Sequence, residues 1–140
     1  RFTPESDPDD LAQQASAALQ RTFEALRERT NWHSRVSMNL AKAFIDAHFR
    51  EESLSLQQVA QAVDMSPSYF SRVFKEEFGL SFIQYVTKLR MEEAAKLLSD
   101  PFCKTYEVSY QVGYTDYSHF AKVFKKYYAV SPKEYKRRVD

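Results

Sequence analysis

Ser68, Ser71, Arg72 and Lys75 lie within the stretch SYFSRVFKEEFGLS at spacings that share one face of a helix. Two hydroxyls, a guanidinium and an ammonium on one face offer hydrogen-bond donors and positive charge. They suit phosphate oxygens, and a guanidinium also spans the two acceptors on the major-groove edge of guanine. Fifty residues later SHFAKVFKKYYAVS rewrites the same helix, and its outer positions are Tyr117, Ser118, Ala121, Lys122 and Lys125, with Lys126 beside them. His33, His48 and His119 are far apart and lack acidic or Cys neighbours at ligand spacing, so a metal site is not expected. No nucleophile–base pair or carboxylate pair stands out either, so the reading is not an enzyme and calls for no cofactor.

The elements that must hold these side chains are punctuated by caps. Ser55 with Gln58 forms a capping box that opens a short helix with Leu56, Val59, Ala60 and Val63 inward. The segment DMSPS breaks it, and Ser66 caps the next helix with Pro67 at its first position. That helix turns Phe70, Val73, Phe74 and Phe78 inward, and Gly79 ends it. Two short helices across a tight turn make a helix-turn-helix. The plan recurs with Val108, Ser109 and Val112, the turn GYTD, an Asp116 cap, and Phe120, Val123 and Phe124 inward. Ser81 with Gln84 and Ser131 with Glu134 cap the helix after each copy. Between the copies, Ile83, Val86, Leu89, Ala94, Leu97 and Leu98 occupy more than one face of a connector, which predicts burial on several sides.

Upstream, residues 1–10 read as irregular. Ala12, Ala15, Leu19, Phe23 and Leu26 mark an amphipathic helix over 11–30, and 31–34 read as an interruption. A second helix follows with Val36, Leu40, Ala43, Phe44 and Ala47 on its inner face. The predicted fold is all-α: two helix-turn-helix subdomains joined by a long connector helix and preceded by an extra N-terminal helix. Residues 1–33 are the linker or signalling helix and 34–140 the main domain, with the first helix-turn-helix at about 55–79, the connector at 82–99 and the second at about 105–128.

Composition is consistent with this. Hydrophobic residues make up 44% of the 140, with two Gly. No apolar run reaches the roughly 18 residues of a membrane span, and no secretory signal stands at the start. The lone Cys103 leaves no internal disulfide and suits a reducing cytoplasm. The missing initiator Met points to a piece of something longer. Net charge is +1, but residues 1–65 carry 7 Lys+Arg against 10 Asp+Glu, whereas 66–140 carry 13 against 9. The basic half is the half with the repeat.

The stretch VSYQVGYTDYSHFAKVFKKYYAVSPKEYKRR resembles the signature of the AraC/XylS family of transcription regulators. Val108, Val112, Gly113, Tyr114, Asp116, Phe120, Val123, Phe124, Lys125, Lys126, Ser131, Pro132 and Tyr135 carry the match, and Tyr85, Arg90, Ala94 and Leu98 match the connector. The resemblance covers about residues 36–138. Ser109, Ala129 and Asp64 depart from it, standing where the family favours Ala, Gly and Gly. The resemblance implies sequence-specific binding of a double-stranded DNA operator, with recognition helices in successive major grooves. It places base contacts at Ser68, Ser71 and Arg72, with equivalents at Tyr117, Ser118, Ala121 and Lys122. Lys75 and Lys125 complete the two faces, and Lys126, Arg137 and Arg138 are phosphate candidates, the last two equally a solvated end. Arg90 is implied to be a structural salt bridge or cap.

As partners it implies a regulatory domain, which in this family is a small-molecule-binding barrel, a phosphorylated receiver of a two-component system or a membrane sensor, and it admits RNA polymerase. The helical lead-in favours the receiver by analogy. Residues 11–30 either mediate weak homodimerisation or fold back as a core cover. A helical adaptor and an enzyme fragment are the competing readings, and salt-dependent binding to duplex DNA separates them from the first.

Overall fold

The computed structural model describes residues 8–139, with backbone alone for residues 8–13, 15, 23 and 26–31. Its described residues form seven helices and no strand: α1 (Pro8–His48), α2 (Leu56–Ala62), α3 (Pro67–Phe78), α4 (Phe82–Leu98), α5 (Thr105–Gln111), α6 (Tyr117–Tyr128) and α7 (Pro132–Val139). The chain divides into two units, residues 1–37 and 38–140. Among the described residues, no helix is long and apolar enough to cross a membrane.

The expected break at 31–34 is absent, and α1 runs through it. Asn31, Trp32, His33 and Ser34 each cost a helix only a few tenths of a kcal/mol to about 0.7 kcal/mol relative to Ala, too little to stop one without Gly or Pro. In the first unit Leu19 is 60% exposed. The side chains of Ala12, Ala15, Phe23 and Leu26 lie outside the described residues.

The second unit holds two cores. The first gathers Met38, Ala41, Ile45 and Phe49 with Val59 and Ala60 of α2, Phe70 and Phe74 of α3, and Phe82, Tyr85 and Val86 of α4. The second gathers Met91, Ala94 and Leu98 of α4 with Val108, Val112, Tyr114, Phe120 and Phe124. The connector α4 therefore gives its first half to one core and its second half to the other. Five expected inward positions are corrected. Leu40 is 61% exposed, Val36, Ala43 and Ala47 are also exposed, and only Phe44 of that stripe is partly covered. Residues 36–49 are apolar on two faces, and the face with Met38, Ile45 and Phe49 wins the packing. Ile83 is 70% exposed because Phe82, Tyr85 and Val86 take the inward arc of α4.

Local signals hold the helix ends. Ser81 and Gln84 form the full reciprocal box, at 3.1 and 2.9 Å. Ser55, Ser66 and Ser131 each accept a backbone N–H three residues on, from Gln58, Tyr69 and Glu134. Asp116 accepts from the Ser118 N–H at 3.0 Å. Gly79 and Ala129 both end their helices left-handed, at φ 74° and 67°. Ser109 is fully buried and donates its hydroxyl to the Tyr106 carbonyl at 2.8 Å.

The two copies differ by one residue in the turn. Met65 N–H bonds to Ala60 O, and Tyr114 N–H to Ser109 O, both at 2.9 Å, so these positions correspond. Ser66 follows Met65 directly as a cap, whereas Thr115 intervenes before Asp116. Asp64 and Gly113 take the equivalent left-handed place, at φ 58° and 105°.

Side chains on either side of the connector fix it. The Tyr85 hydroxyl donates to Asp46 at 2.7 Å, and Asp46 also accepts from Lys42 at 3.1 Å. Arg50 pairs with Glu93 at 3.2 Å. Arg90 donates to the carbonyls of Phe49 and Glu51 at 2.7 and 2.9 Å, satisfying acceptors just past the end of α1, and lies 5.2 Å over the Tyr114 ring. It is a cap, one of its two expected structural roles.

Candidate nucleic-acid interface

Helices α3 and α6 turn a pair of phenylalanines each into their cores, and that choice fixes what they show outside. With Phe70 and Phe74 fully buried, α3 exposes Ser68, Arg72 and Lys75 and leaves Ser71 half-buried. With Phe120 and Phe124 fully buried, α6 exposes Ser118, Lys122, Lys125 and Lys126. Ala121 is half-buried. So is Tyr117, whose ring packs 6.1 Å from Phe120, which makes it part of the second core as well as the first residue of α6. Each expected set thus shares a helix face, and both helices belong to the unit 38–140.

The Arg72 guanidinium has two neighbours on its own helix. Its carbon lies 5.3 Å from the Tyr69 ring centroid, and Nη1 lies 3.8 Å from Glu76 Oε1. Both side chains of that ion pair remain 65% exposed, so the pair is easily exchanged for another acceptor. His119, at the position matching Tyr69, stands edge-on to Tyr114 at 5.4 Å.

Other features frame the interface. A groove of about 550 Å³ runs between α4 and α6, and Ile83, Thr87, Lys88, Val123, Lys126 and Tyr127 are among its lining residues. The sequence does not mark Lys88 and Thr87 as neighbours of Lys126, because only the packing of α4 on α6 brings them there. On α7, Lys136 donates to the Asp100 carbonyl at 2.8 Å, while Arg137 and Arg138 stay exposed. Cys103 donates its thiol to Leu97 O at 3.0 Å. Among the described residues, no three His, Cys, Asp or Glu side chains gather as a metal site.

Residues 59–138 match a family described as a helix-turn-helix domain. The regulatory protein PocR of Salmonella typhimurium is 35% identical over 103 residues, which are 74% of this chain and 34% of PocR. The chain therefore spans about a third of that relative's length. The C-terminal domain of AraT, a response regulator from Geobacillus stearothermophilus, superposes with a TM-score of 0.70 at 40% identity, covering 73% of this chain and 84% of that one. The DNA-binding domain of AdpA, solved in complex with a target DNA, shares the fold at a TM-score of 0.68 and 22% identity, covering 72% and 90%. Two capped helix-turn-helix units on one connector, matched over more than half the chain, make this chain a member of the helix-turn-helix family of AraC/XylS-type transcription regulators.

Proposed function

We propose that this chain binds duplex DNA sequence-specifically, with α3 and α6 entering successive major grooves. The observation that carries this reading is the repeated helix: the same buried frame, at Phe70, Val73 and Phe74 and at Phe120, Val123 and Phe124, sits beneath a donor-rich outer face in each copy. One short helix reads only a few base pairs. Two of them on a rigid connector can reach grooves about 34 Å apart along one face of the DNA, the spacing that dimeric helix-turn-helix proteins obtain from two subunits. Arg72, Ser68 and Ser71 read bases from α3, and Ser118, Ala121 and Lys122 do so from α6. Tyr117 supports the start of α6. Lys75, Lys125, Lys126, Arg137 and Arg138 hold phosphates.

Selection of bound sequences from random duplexes, followed by anisotropy titration on a selected and a scrambled duplex, tests the reading. The wild type should prefer the selected duplex and weaken steeply with salt. Arg72→Ala should cost about 1–3 kcal/mol on the selected site and relax preference at one or two base pairs. Equal loss on both duplexes would make Arg72 a phosphate contact. Adding two residues between Glu92 and Ala95 turns the second unit by roughly 200° and shifts it about 3 Å. A folded variant that still protected the full footprint would remove the two-groove arrangement.

For the whole protein, we assign residues 11–30 to coupling a regulatory domain, of the response-regulator receiver kind, to the DNA-binding part in the cytoplasm. Exposed Leu19 supports a weak, micromolar self-association through this segment. Sedimentation of the wild type and of a Leu19→Glu/Leu26→Glu variant tests it. A wild type that stays monomeric at high concentration, beside a variant that loses thermal stability, would make the segment a core cover.

A further inference from the structure

The two recognition helices share their burial pattern but not their charge. Residues 71–80 and 121–130 are buried, half-buried and exposed in the same order, so the packing asks the same of both. Yet α3 carries Arg72 and Lys75 against Glu76 and Glu77, whereas α6 carries Lys122, Lys125 and Lys126 and no carboxylate. Position 76 corresponds to position 126, as Phe74 does to Phe124. At the outer edge of the reading face, one copy therefore has an acid where the other has a base.

Glu76 is not idle: its carboxylate is the ion-pair partner of Arg72, at 3.8 Å. Resting on the DNA-binding reading above, we infer that Glu76 is a specificity-determining residue, a built-in competitor that denies Arg72 to non-cognate DNA while Lys126 anchors α6 to any DNA. Cognate and non-cognate surfaces offer the guanidinium different things. On a non-cognate duplex the main gain for an arginine is a phosphate, with release of its counterions. A carboxylate one helical turn away, 3.8 Å from the guanidinium and beyond hydrogen-bond distance, repels that phosphate and offsets part of the gain. Guanine presents two uncharged acceptors in a fixed geometry, and the bidentate pair recovers hydrogen bonds that the carboxylate does not repel. The Tyr69 ring, 5.3 Å from the guanidinium carbon, keeps Arg72 on the outer face during that exchange. No carboxylate of α6 opposes Lys125 and Lys126, so beside the base-reading positions of this helix these two contribute affinity for any sequence and most of the salt dependence. The first copy discriminates more sharply, and the second adds most of the sequence-independent hold.

The test compares wild type, Glu76→Gln and Lys126→Glu by anisotropy on one duplex selected from random sequence and on one scrambled duplex, across a salt series. Circular dichroism melts check that the exposed substitutions leave the fold intact. Glu76→Gln should bind the scrambled duplex about fivefold more tightly and the selected one by less than about twofold, with a salt slope on scrambled DNA steeper by about one. Lys126→Glu should weaken both duplexes by a similar factor and flatten the slope on both. Equal tightening of both duplexes by Glu76→Gln would overturn the inference, because Glu76 would then repel DNA without discriminating. No change on either duplex would overturn it too, leaving Glu76 a solvated surface acid. A wild type that binds neither duplex in a salt-dependent way would overturn the DNA-binding reading itself, and this outcome is distinct because it does not depend on the variants.

Discussion

A β-carbon placed on Gly113 would stand 3.0 Å from both the guanidinium carbon and Nε of Arg90, and 3.1 Å from the Arg50 carbonyl oxygen. The turn of the second helix-turn-helix thus closes directly onto the arginine that caps the chain after α1. Arg90 joins the segment after α1, the connector and the second helix-turn-helix through one side chain, with two charge-assisted hydrogen bonds and the face of Tyr114. A fixed angle between the two helix-turn-helix subdomains is what the proposed two-groove reading requires, and this contact within residues 38–140 is one of the parts that fixes it.

Gly113→Ala should therefore destabilise by about 3 kcal/mol, combining steric overlap with the strain of φ 105°. Arg90→Ala should cost about 2–4 kcal/mol through its lost carbonyl partners. Urea unfolding of the single and double variants forms a cycle. The double variant should fall short of the sum by about 1 kcal/mol or more, because removing the Arg90 side chain opens the space that a methyl group at position 113 needs. Strict additivity would mean that the close approach is not what Gly113 serves.

Ser109 offers an internal comparison, since Ala60 holds the matching place in the first copy and both are fully buried. Its hydroxyl bonds back to Tyr106 O, so it is satisfied but gains little over a methyl group. Ser109→Ala should change stability by no more than about 0.5 kcal/mol. A loss above about 1.5 kcal/mol in thermal or urea melts would show that the hydroxyl has a further structural role.

What could be read from the sequence was local in origin. Ser66, Ser81, Asp116 and Gly79 act on backbone groups within four residues of themselves, so their types and spacing announce them before any packing is known. The outer faces of α3 and α6 followed from the paired phenylalanines for the same reason. The inner face of α1 over 38–48 did not, because Leu40 and Ile45 are equally apolar and only the docking of other helices chooses between them. The uninterrupted α1 is hidden because residues 31–34 merely dislike a helix, and a mild dislike looks like a stop until packing is known. The Tyr85–Asp46 bond spans 39 positions, and no periodicity marks it. The extra residue in the second turn is masked because the repeat spacing changes from 49 to 50 inside the turn itself.

Alkaline pH should probe the packing of Tyr128. Burial first, and then the neighbouring Tyr127, Glu92 and Tyr135, push its hydroxyl up to about 12. Burial likewise raises Tyr85 and Tyr114. An unfolded tyrosine titrates near 10, so the unfolded chain loses these protons first. Folding stability should thus be insensitive to these groups below about pH 10 and fall as pH rises from there through about 12. Tyr128→Phe should remove part of that decline and cost about 0.5–1.5 kcal/mol at neutral pH, since the hydroxyl donates to Met91 O at 3.1 Å. Urea midpoints measured from pH 8 to about 11.5 check it. An unchanged pH slope in the variant would mean that Tyr128 titrates like a solvated phenol.

The two recognition helices end in the same left-handed cap built from different residues, which gives a matched pair of opposite substitutions. Gly79 N–H bonds to Lys75 O at 2.8 Å and Ala129 N–H to Lys125 O at 2.7 Å, so each terminus closes in the same way. An L residue at this φ suffers contact between its β-carbon and its own carbonyl, at about 1–2 kcal/mol. Glycine avoids that contact but loses more freedom on folding, which returns about 0.5–1 kcal/mol. Ala129→Gly should therefore stabilise by about 0.5–1 kcal/mol, or roughly 2–5 °C in Tm. Gly79→Ala should destabilise by a similar amount, because a β-carbon there meets no atom within 4 Å and only the backbone is strained. Calorimetric melts of the two variants and of the pair decide the matter. The double variant should return close to the wild-type Tm, since the two caps sit on separate cores and share no partner. A lower Tm for Ala129→Gly would mean that the methyl group contributes packing that outweighs its strain.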